Sequence, residues 1–273
     1  MVLIGTAGFS YKDWKGVFYP GDIKDGEMLG FYAELFPCVE LDFTYYQMPS
    51  LRTMEGLARK VPEGFEFCVK AHKGMTHEFK EAEAGGDTSD VFRAFVEAIK
   101  PMTTRGSLGC VLAQFPWGFK RTQENADYVR RFRERLKDVA VVVEFRNSEW
   151  VRPETFELLR AEGLGFCCVD EPRLRGLVLP VVEATADIAY VRFHGRNAEK
   201  WWNHTQGWER YNYLYTEAEL AEWLPKIKAL DARAAKTYVL FNNCHAGQAA
   251  ENARMLQSMM KLDLGRPVEG EGG

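Results

Sequence analysis

A chain of 273 residues is long for one hydrophobic core and short for two, so its length favours a single large domain. Apolar residues make up 46% and charged residues 27%, which excludes disordered, collagen-like and fibrous proteins. Thirty-five Lys and Arg against 39 Asp and Glu leave a net charge of −4, which argues against coating nucleic acid or a membrane through bulk charge.

Eight short runs rich in β-branched, aromatic or cysteine residues recur along the chain, and each is typical of a β-strand. In order they cover residues 2–6, 38–43, 65–72, 108–115, 139–146, 165–170, 188–194 and 237–242. Amphipathic segments predict helices near residues 28–35, 51–60, 89–100, 123–136, 153–162, 217–230 and 247–260. Residues that suit helix starts accompany several segments, namely Ser50, Thr122, Pro153, Thr216 and Glu219. A loop is predicted between the sixth and seventh runs.

This alternation of strands and helices predicts an α/β fold, a TIM-type (β/α)8 barrel. An open doubly wound sheet commonly stops at about six strands and carries a glycine-rich nucleotide turn. Neither G-x-G-x-x-G nor G-x-x-x-x-G-K-[ST] occurs in the chain. No linker or internal repeat divides it, so we expect residues 1–264 to form one barrel domain and residues 265–273 a flexible tail.

The sequence gives no sign of a membrane protein or a disulfide framework. No stretch approaches the roughly 18 uncharged apolar residues that cross a bilayer, and the first ten residues lack the basic start and apolar run of a signal peptide. The six cysteines include no C-x-x-C pair. We therefore expect a soluble cytoplasmic protein with no membrane partner and with cysteines that act as small buried residues.

Polar and apolar residues alternate along most of the runs. Every second side chain of a barrel strand points into the lumen, and active sites lie at the carboxyl ends of the strands. The polar residues on the parity predicted to be lumenal are Glu40, Asp42, Lys70, His72, Gln114, Glu144, Arg146, Asp170, Arg192, His194 and Asn242. They predict a functional pocket, and the alternative is a structural network of ion pairs that plugs the barrel.

Acidic and basic candidates are balanced at this end of the barrel. The acids are Glu40, Asp42, Glu144 and Asp170, and the cations are Lys70, Arg146, Arg192 and Arg196. A site for two or three metal ions needs an excess of carboxylates and imidazoles. An anionic ligand held by Arg and Lys is therefore favoured, and no cofactor is predicted. The alternative is a divalent metal ion, with ligands drawn from His72, His194, Glu144 and Asp170.

Loops after three of the runs add further candidates. The loop after the seventh run interleaves rings with cations, including Arg196, Trp201 and Trp202, which suits stacking on bases or sugars together with phosphate contacts. A packed lid over the mouth is the alternative. Asn242 and Asn243 precede a helix at a position where barrels often bind phosphate, and a helix cap is the alternative. His77, after the third run, is expected to be a surface residue.

Ordered motifs spread over nearly the whole chain resemble the YecE-like family, also called domain of unknown function 72. They include Gly5-Thr6-Ala7-Gly8-Phe9-Ser10-Tyr11, Gln114-Phe115-Pro116, Glu144-Phe145-Arg146, Arg192-Phe193-His194-Gly195-Arg196 and Phe241-Asn242-Asn243. The chain departs from the family's usual residues at Asp42, Phe43 and Asn147. The resemblance implies a TIM-type barrel and by itself implies no activity.

Three functions are consistent with these patterns. The first is an enzyme, expected to be a hydrolase, that acts on a small phosphorylated or nucleic-acid-derived anion. In it Glu144 is the general acid or base, with a pKa raised by burial and partly lowered again by Arg146, and Asp170 or His72 is the alternative proton carrier. Its predicted ligand-binding residues are Lys70, Arg146, Arg192, His194, Arg196, Trp201, Trp202, Gln114, Glu40, Asn242 and Asn243. The second function is non-catalytic capture of a small anion or of single-stranded or damaged nucleic acid. The third is a metal-dependent hydrolase or isomerase.

Overall fold

The computed structural model describes residues 1–79 and 89–264. Eight parallel strands close into a barrel in chain order, and the first strand pairs with the last. The strands are β1 Val2–Ala7, β2 Cys38–Leu41, β3 Glu66–Lys70, β4 Leu108–Gln114, β5 Val141–Glu144, β6 Gly165–Asp170, β7 Ile188–Phe193 and β8 Lys236–Phe241. The predicted TIM-type barrel is confirmed. The predicted flexible tail, residues 265–273, lies outside the described residues.

Helices connect the strands and form the outer layer. They are α1 Met28–Leu35, α2 Phe43–Tyr46, α3 Leu51–Arg59, α4 Lys73–Thr76, α5 Ser89–Arg105, α6 Gln123–Arg135, α7 Pro153–Ala161, α8 Glu217–Ala221, α9 Leu224–Asp231 and α10 Gln248–Leu264. The side chains of Ser50 and Thr122 accept hydrogen bonds from backbone amides in the first turns of α3 and α6, as predicted. None of these helices is long and apolar enough to cross a membrane.

One predicted helix, over residues 217–230, is two helices in the structure. Thr216 and Glu219 form the predicted capping box at the start of α8, which ends at Ala221. Pro225 lies in the first turn of α9. Because proline has no amide hydrogen and its ring crowds the preceding turn, Pro225 is favourable in the first turn of a helix and unfavourable in a helix interior. The turns α2 and α4 have four residues each and are too short to show a helical period.

Two apolar layers fill the molecule. The outer layer packs the strands against the helices. The inner layer fills the lumen with Leu3, Cys38, Cys68, Cys110, Leu112, Val142, Cys167, Val169, Val178, Tyr190, Tyr238 and Leu240. All six cysteines are free and buried. Because apolar side chains close the lumen below, the polar residues at the carboxyl ends of the strands form the floor of an open mouth.

Candidate functional site

The deepest polar group of the lumen is the guanidinium of Arg192, on β7. Its Nη2 lies 2.5 Å from Glu40 Oε1, and its Nη1 lies 2.6 Å from Glu144 Oε2. Tyr190 donates a hydrogen bond to the other oxygen of Glu40 at 2.7 Å. All four side chains are buried. Arg192 therefore links β2 to β5 through the lumen. Both Arg192 and Glu40 are predicted to bind a ligand, but neither has exposed surface with which to do so.

Glu144 is the centre of this network. Its Oε1 lies 2.5 Å from Arg146 Nε and 3.1 Å from His194 Nε2. Burial raises the pKa of Glu144, but the two guanidiniums and the imidazole outweigh burial and hold the pKa well below its usual value. The predicted rise of this pKa is wrong, because opposite charges surround the carboxylate on several sides. Glu144 is completely buried and stays ionised.

His194 is neutral in this setting. Burial lowers its pKa to about 3, and the Arg146 guanidinium acts in the same direction. The amide nitrogen of Asn242 lies 3.0 Å from Nδ1. That amide nitrogen can only donate, so Nδ1 accepts its hydrogen bond and the imidazole proton is on Nε2. Nε2 therefore donates a hydrogen bond to Glu144. His194 thus positions the carboxylate instead of facing the solvent.

A lumenal carboxylate that the sequence reasoning missed is Glu171, directly after β6. Glu171 Oε2 lies 3.2 Å from Arg146 Nη1, and Oε1 accepts from the amide of Val178 at 2.9 Å. Burial raises the pKa of Glu171 to about 7. Cys167 pairs with the lumenal Tyr190 in the sheet register, so Cys167 and Glu171 share the inner face of β6. Cys38, Cys68 and Cys110 are lumenal on β2, β3 and β4. This pattern was the signal in the sequence that Cys167, and with it Glu171, faces the lumen.

Asp170 consequently lies on the outer face of β6, and its predicted lumenal position is wrong. Its carboxylate accepts hydrogen bonds from Tyr215 Oη at 2.8 Å and from Trp223 Nε1 at 2.7 Å. Arg196 contributes two more, each at 2.8 Å. The side chain is buried and fully bonded. Asp170 braces the connection between β7 and α9 and does not reach the mouth as a proton carrier.

Arg196, predicted to hold an anion, is already surrounded by carboxylates. Besides Asp170, its guanidinium lies 3.4 Å from Glu219 Oε1 and 3.0 Å from Glu222 Oε2. Those acids neutralise its charge, and they also fill the donor positions that a phosphate would use. The structure therefore places Arg196 in the same outer brace as Asp170.

Two further candidates serve as local caps and braces. His72 precedes α4, and its Nδ1 accepts from the amide of Gly74 at 3.1 Å. Asn243 is buried in the connection that follows β8, where it donates to the carbonyl of Tyr213 at 2.8 Å and to Asn252 Oδ1 at 2.9 Å. Two cavities, described below, open at the mouth of the barrel, and neither side chain lines them. The proton transfer predicted for His72 and the phosphate binding predicted for Asn243 therefore lack the required geometry.

The large cavity at the mouth has a volume of about 880 Å³. Its charged or titratable lining residues are Asp13, Asp42, Lys70, Arg210 and His245, and its aromatic ones are Tyr11, Tyr46, Trp208 and Tyr211, with Asn242 beside them. Lys70 Nζ lies 3.3 Å from Asp42 Oδ1 at the floor. Burial raises the pKa of Asp42, but Lys70 and Arg192 outweigh burial and hold the pKa below its usual value. An ionised carboxylate and an ammonium group thus face this cavity together.

The small cavity adjoins the large one and has a volume of about 220 Å³. It is lined by His77, Gln114, Arg146, Trp117, Trp201 and Trp202, and Arg210 and Tyr211 line both cavities. His77 is not the surface residue that was expected. Burial lowers its pKa to about 4, and Lys70 and Arg146 act in the same direction, so its imidazole is neutral near pH 7.

Arg210 differs from the other arginines at this end of the barrel. Its Nη2 lies 2.6 Å from His204 Nε2, and its Nε, like that of Arg192, is buried without a hydrogen-bond partner. Within the part of the chain that the structure describes, no carboxylate forms an ion pair with it, whereas Arg146, Arg192 and Arg196 each contact two or more. The aromatic, basic pattern of its loop was the available signal for Arg210.

The rings of the mouth divide into packed and exposed ones. Trp201 is buried, with its ring 6.0 Å from the Arg146 guanidinium, so it belongs to the lid that was weighed as an alternative. Trp202 is 55% exposed and stands 6.2 Å edge-on to Trp117. Four exposed rings surround the cavities and are called the aromatic rim: Tyr46, Trp117, Trp202 and Trp208.

The candidate metal ligands are not gathered into a metal centre. Among residues 1–79 and 89–264, no group of three or more His, Cys, Asp or Glu side chains is placed to hold a metal ion. His194 and Glu144 are in contact, but Arg146 and Arg192 occupy the other sides of the carboxylate. The donor set therefore does not fit a divalent ion.

Comparisons with known proteins give the family. Residues 3–270 match the family described as "Protein of unknown function DUF72". The UPF0759 protein YunF of Bacillus subtilis (strain 168) is 33% identical, and the match covers 96% of each chain. A crystal structure of a DUF72 family protein from Thermotoga maritima MSB8 is 42% identical with a TM-score of 0.88, covering 96% of this chain and 99% of that one. A DUF72 family protein from Enterococcus faecalis V583 is 28% identical with a TM-score of 0.86, covering 96% of each. The resemblance seen in the sequence is confirmed, and the chain belongs to the DUF72 family.

Proposed function

We propose that the protein binds a phosphorylated ligand with a planar ring at the mouth of its barrel and hydrolyses the phosphate ester. The observation that carries the proposal is Arg210. It is the arginine of the mouth whose charge no described carboxylate neutralises, and it borders both cavities. A guanidinium matches the geometry of phosphate oxygens, which accept two parallel N–H bonds from it.

The walls of the large cavity support the rest of the ligand. Lys70 supplies a second cation, and an ammonium group paired with one carboxylate keeps donors for a phosphate oxygen. Trp208, Tyr211 and Tyr46 present rings to the same space. Stacking on such rings suits a nucleobase or the face of a sugar, whichever base or sugar it is.

The cavity wall also holds groups that can move a proton. Asp42 is ionised and can orient a water molecule. His245 Nδ1 lies 3.9 Å from Asp13 Oδ2, and Trp208 stacks on the imidazole at 4.2 Å. In the proposed step Asp42 takes a proton from the water molecule as the water oxygen attacks phosphorus, the ester P–O bond breaks, and His245 gives a proton to the leaving oxygen. Asp42 and His245 take the roles that had been predicted for Glu144, Asp170 and His72.

A second candidate is non-catalytic capture of single-stranded nucleic acid. The aromatic rim favours it, because four exposed rings extend beyond the cavities and could stack successive bases of a longer strand. This candidate predicts binding that weakens with salt and forms no product.

Binding is tested with adenosine 5′-monophosphate by calorimetry. We expect Arg210→Gln to weaken binding about tenfold or more, while Arg52→Gln, which removes an exposed arginine of α3, leaves binding unchanged. Equal affinities in the wild type and Arg210→Gln would remove the observation that carries the proposal.

Hydrolysis is tested with 4-nitrophenyl phosphate and bis(4-nitrophenyl) phosphate by the absorbance of the released phenolate. We expect release by the wild type, and we expect His245→Gln and Asp42→Asn to lower it about 100-fold while adenosine 5′-monophosphate still binds. Binding with no release from either ester would reject hydrolysis and favour the second candidate.

A further inference from the structure

We infer that the ligand is a phosphodiester whose two substituents occupy the two cavities, with its single phosphate between them at Arg210. This inference rests on the proposed function and narrows its ligand class. It starts from a geometric relationship: the large cavity and the small cavity meet at the same two side chains, Arg210 and Tyr211.

The distribution of charge places one phosphate at this junction. Arg146 faces the small cavity, but Glu144 and Glu171 already neutralise it from two sides. Arg210 has no such partner among the described residues. An anion gains most from the guanidinium that is not already paired, so the phosphate belongs at the junction and not inside the small cavity.

The small cavity is built for an uncharged, planar group. Trp117 and Trp202 present rings to it. Gln114 donates its amide hydrogen to the carbonyl of Phe115 at 2.9 Å, which leaves its side-chain oxygen as an acceptor. His77 adds a neutral imidazole whose Nδ1 is paired with Thr76 Oγ1 at 2.9 Å, so Nε2 is the ring nitrogen left for a ligand. A base or a sugar satisfies such a lining, whereas a second phosphate would not.

The cavities are adjacent but unequal, about 880 Å³ against about 220 Å³. A phosphomonoester with one ring would occupy one cavity and leave the aromatic walls of the other without a partner. A phosphodiester places a group on each side of the same phosphate. The pair of cavities therefore favours a diester, with the bulkier substituent in the large cavity.

The experiment compares adenosine 5′-monophosphate with the diester adenylyl-(3′→5′)-adenosine by calorimetry. We expect the diester to bind about tenfold tighter or better, because it adds one stacked base. Trp202→Ala, which alters only the small cavity, should weaken the diester about tenfold and leave the monoester within about twofold. Trp208→Ala, which alters the large cavity, should weaken both ligands. Both tryptophans are about half exposed, so these variants are expected to fold.

The outcomes separate the inference from the proposed function. A diester that binds no tighter than the monoester, or a Trp202→Ala variant that weakens both ligands equally, would overturn the inference while monoester binding still supported the proposed function. If neither ligand binds, both fail. A selective loss of diester affinity in Trp202→Ala supports the two-cavity assignment.

Discussion

Arg192 Nη1 lies 2.6 Å from Glu144 Oε2 in a lumen where neither side chain has exposed surface. Bringing both charges out of water is unfavourable, and their attraction offsets this only while both partners are present. The same carboxylate also contacts Arg146 and His194, which sit at the floor of the mouth. The pair thus acts as a structural lock that positions the site above it.

Glu144→Gln should lower the free energy of unfolding by about 3 kcal/mol, because the buried guanidiniums lose the charge that balances them. Urea denaturation measures the loss. The control is Glu149→Gln, which removes a half-exposed carboxylate 3.8 Å from Lys120 and should change stability by no more than about 0.5 kcal/mol. Equal unfolding midpoints for the two variants would contradict the structural lock.

Asp170→Asn tests the outer brace. An amide cannot replace the charge that the Arg196 guanidinium contacts twice, so we expect a loss of about 2 kcal/mol or more in the free energy of unfolding. Because the residue faces away from the mouth, the affinity for adenosine 5′-monophosphate should stay within about twofold. Adding Arg196→Met should lower stability by less than the sum of the single losses. Additive losses, or a selective loss of affinity, would contradict this placement.

The barrel could be predicted from the sequence because its signal is local. Each strand is short, rich in β-branched residues and bounded by turns, and the alternation of polar and apolar residues marks its two faces. That logic fails on β6, where it predicts that Asp170 is the lumenal polar residue. A buried carboxylate can be satisfied on either face, and here Tyr215, Trp223 and Arg196 satisfy it on the outer one. Polarity alone does not identify the face.

The site was predictable in its strand residues and, on the connections, in Trp201 and Trp202, which line the small cavity. Lys70, Gln114, Arg146 and Asn242 lie at the carboxyl ends of strands and do line the cavities, because strand position fixes where they point. Arg210 and His77 lie on connections, and their positions depend on how the loops pack over the barrel. No periodicity in the sequence encodes that packing, so only the structure shows that Arg210 lies at the mouth without an ion pair to any described carboxylate.

Stability should depend on pH through His194. Its folded pKa, about 3, lies below the roughly 6.5 of an unfolded histidine, so its contribution is complete above about pH 6.5 and is lost as the pH falls toward 3. Between pH 4 and 6 this gives a slope of about 1.4 kcal/mol per pH unit. His194→Gln should remove that slope, which denaturation at several pH values measures.

Glu40 and Glu171 act in the opposite sense over part of the same range. Burial raises the pKa of each to about 7, so as the pH rises from about 4.3 to 7 the unfolded chain releases protons that the folded protein keeps, and stability falls. Both groups are present in the wild type and in His194→Gln. The difference in the pH slope of stability between the wild type and His194→Gln therefore isolates the contribution of His194. Parallel slopes would reject the assignment of His194 as a buried neutral imidazole.

Two Gly→Ala changes should alter stability in opposite directions. Gly5 on β1 packs against β2 so closely that an added Cβ would overlap the carbonyl oxygen of Cys38. The paired strands cannot separate without losing hydrogen bonds, so Gly5→Ala should cost about 1–3 kcal/mol. Gly30 lies within α1 with open space where a Cβ would be, so Gly30→Ala should stabilise by about 0.5–1 kcal/mol. Calorimetric melting of both variants measures the effects, and a shift of the same sign in both would contradict the close approach at Gly5.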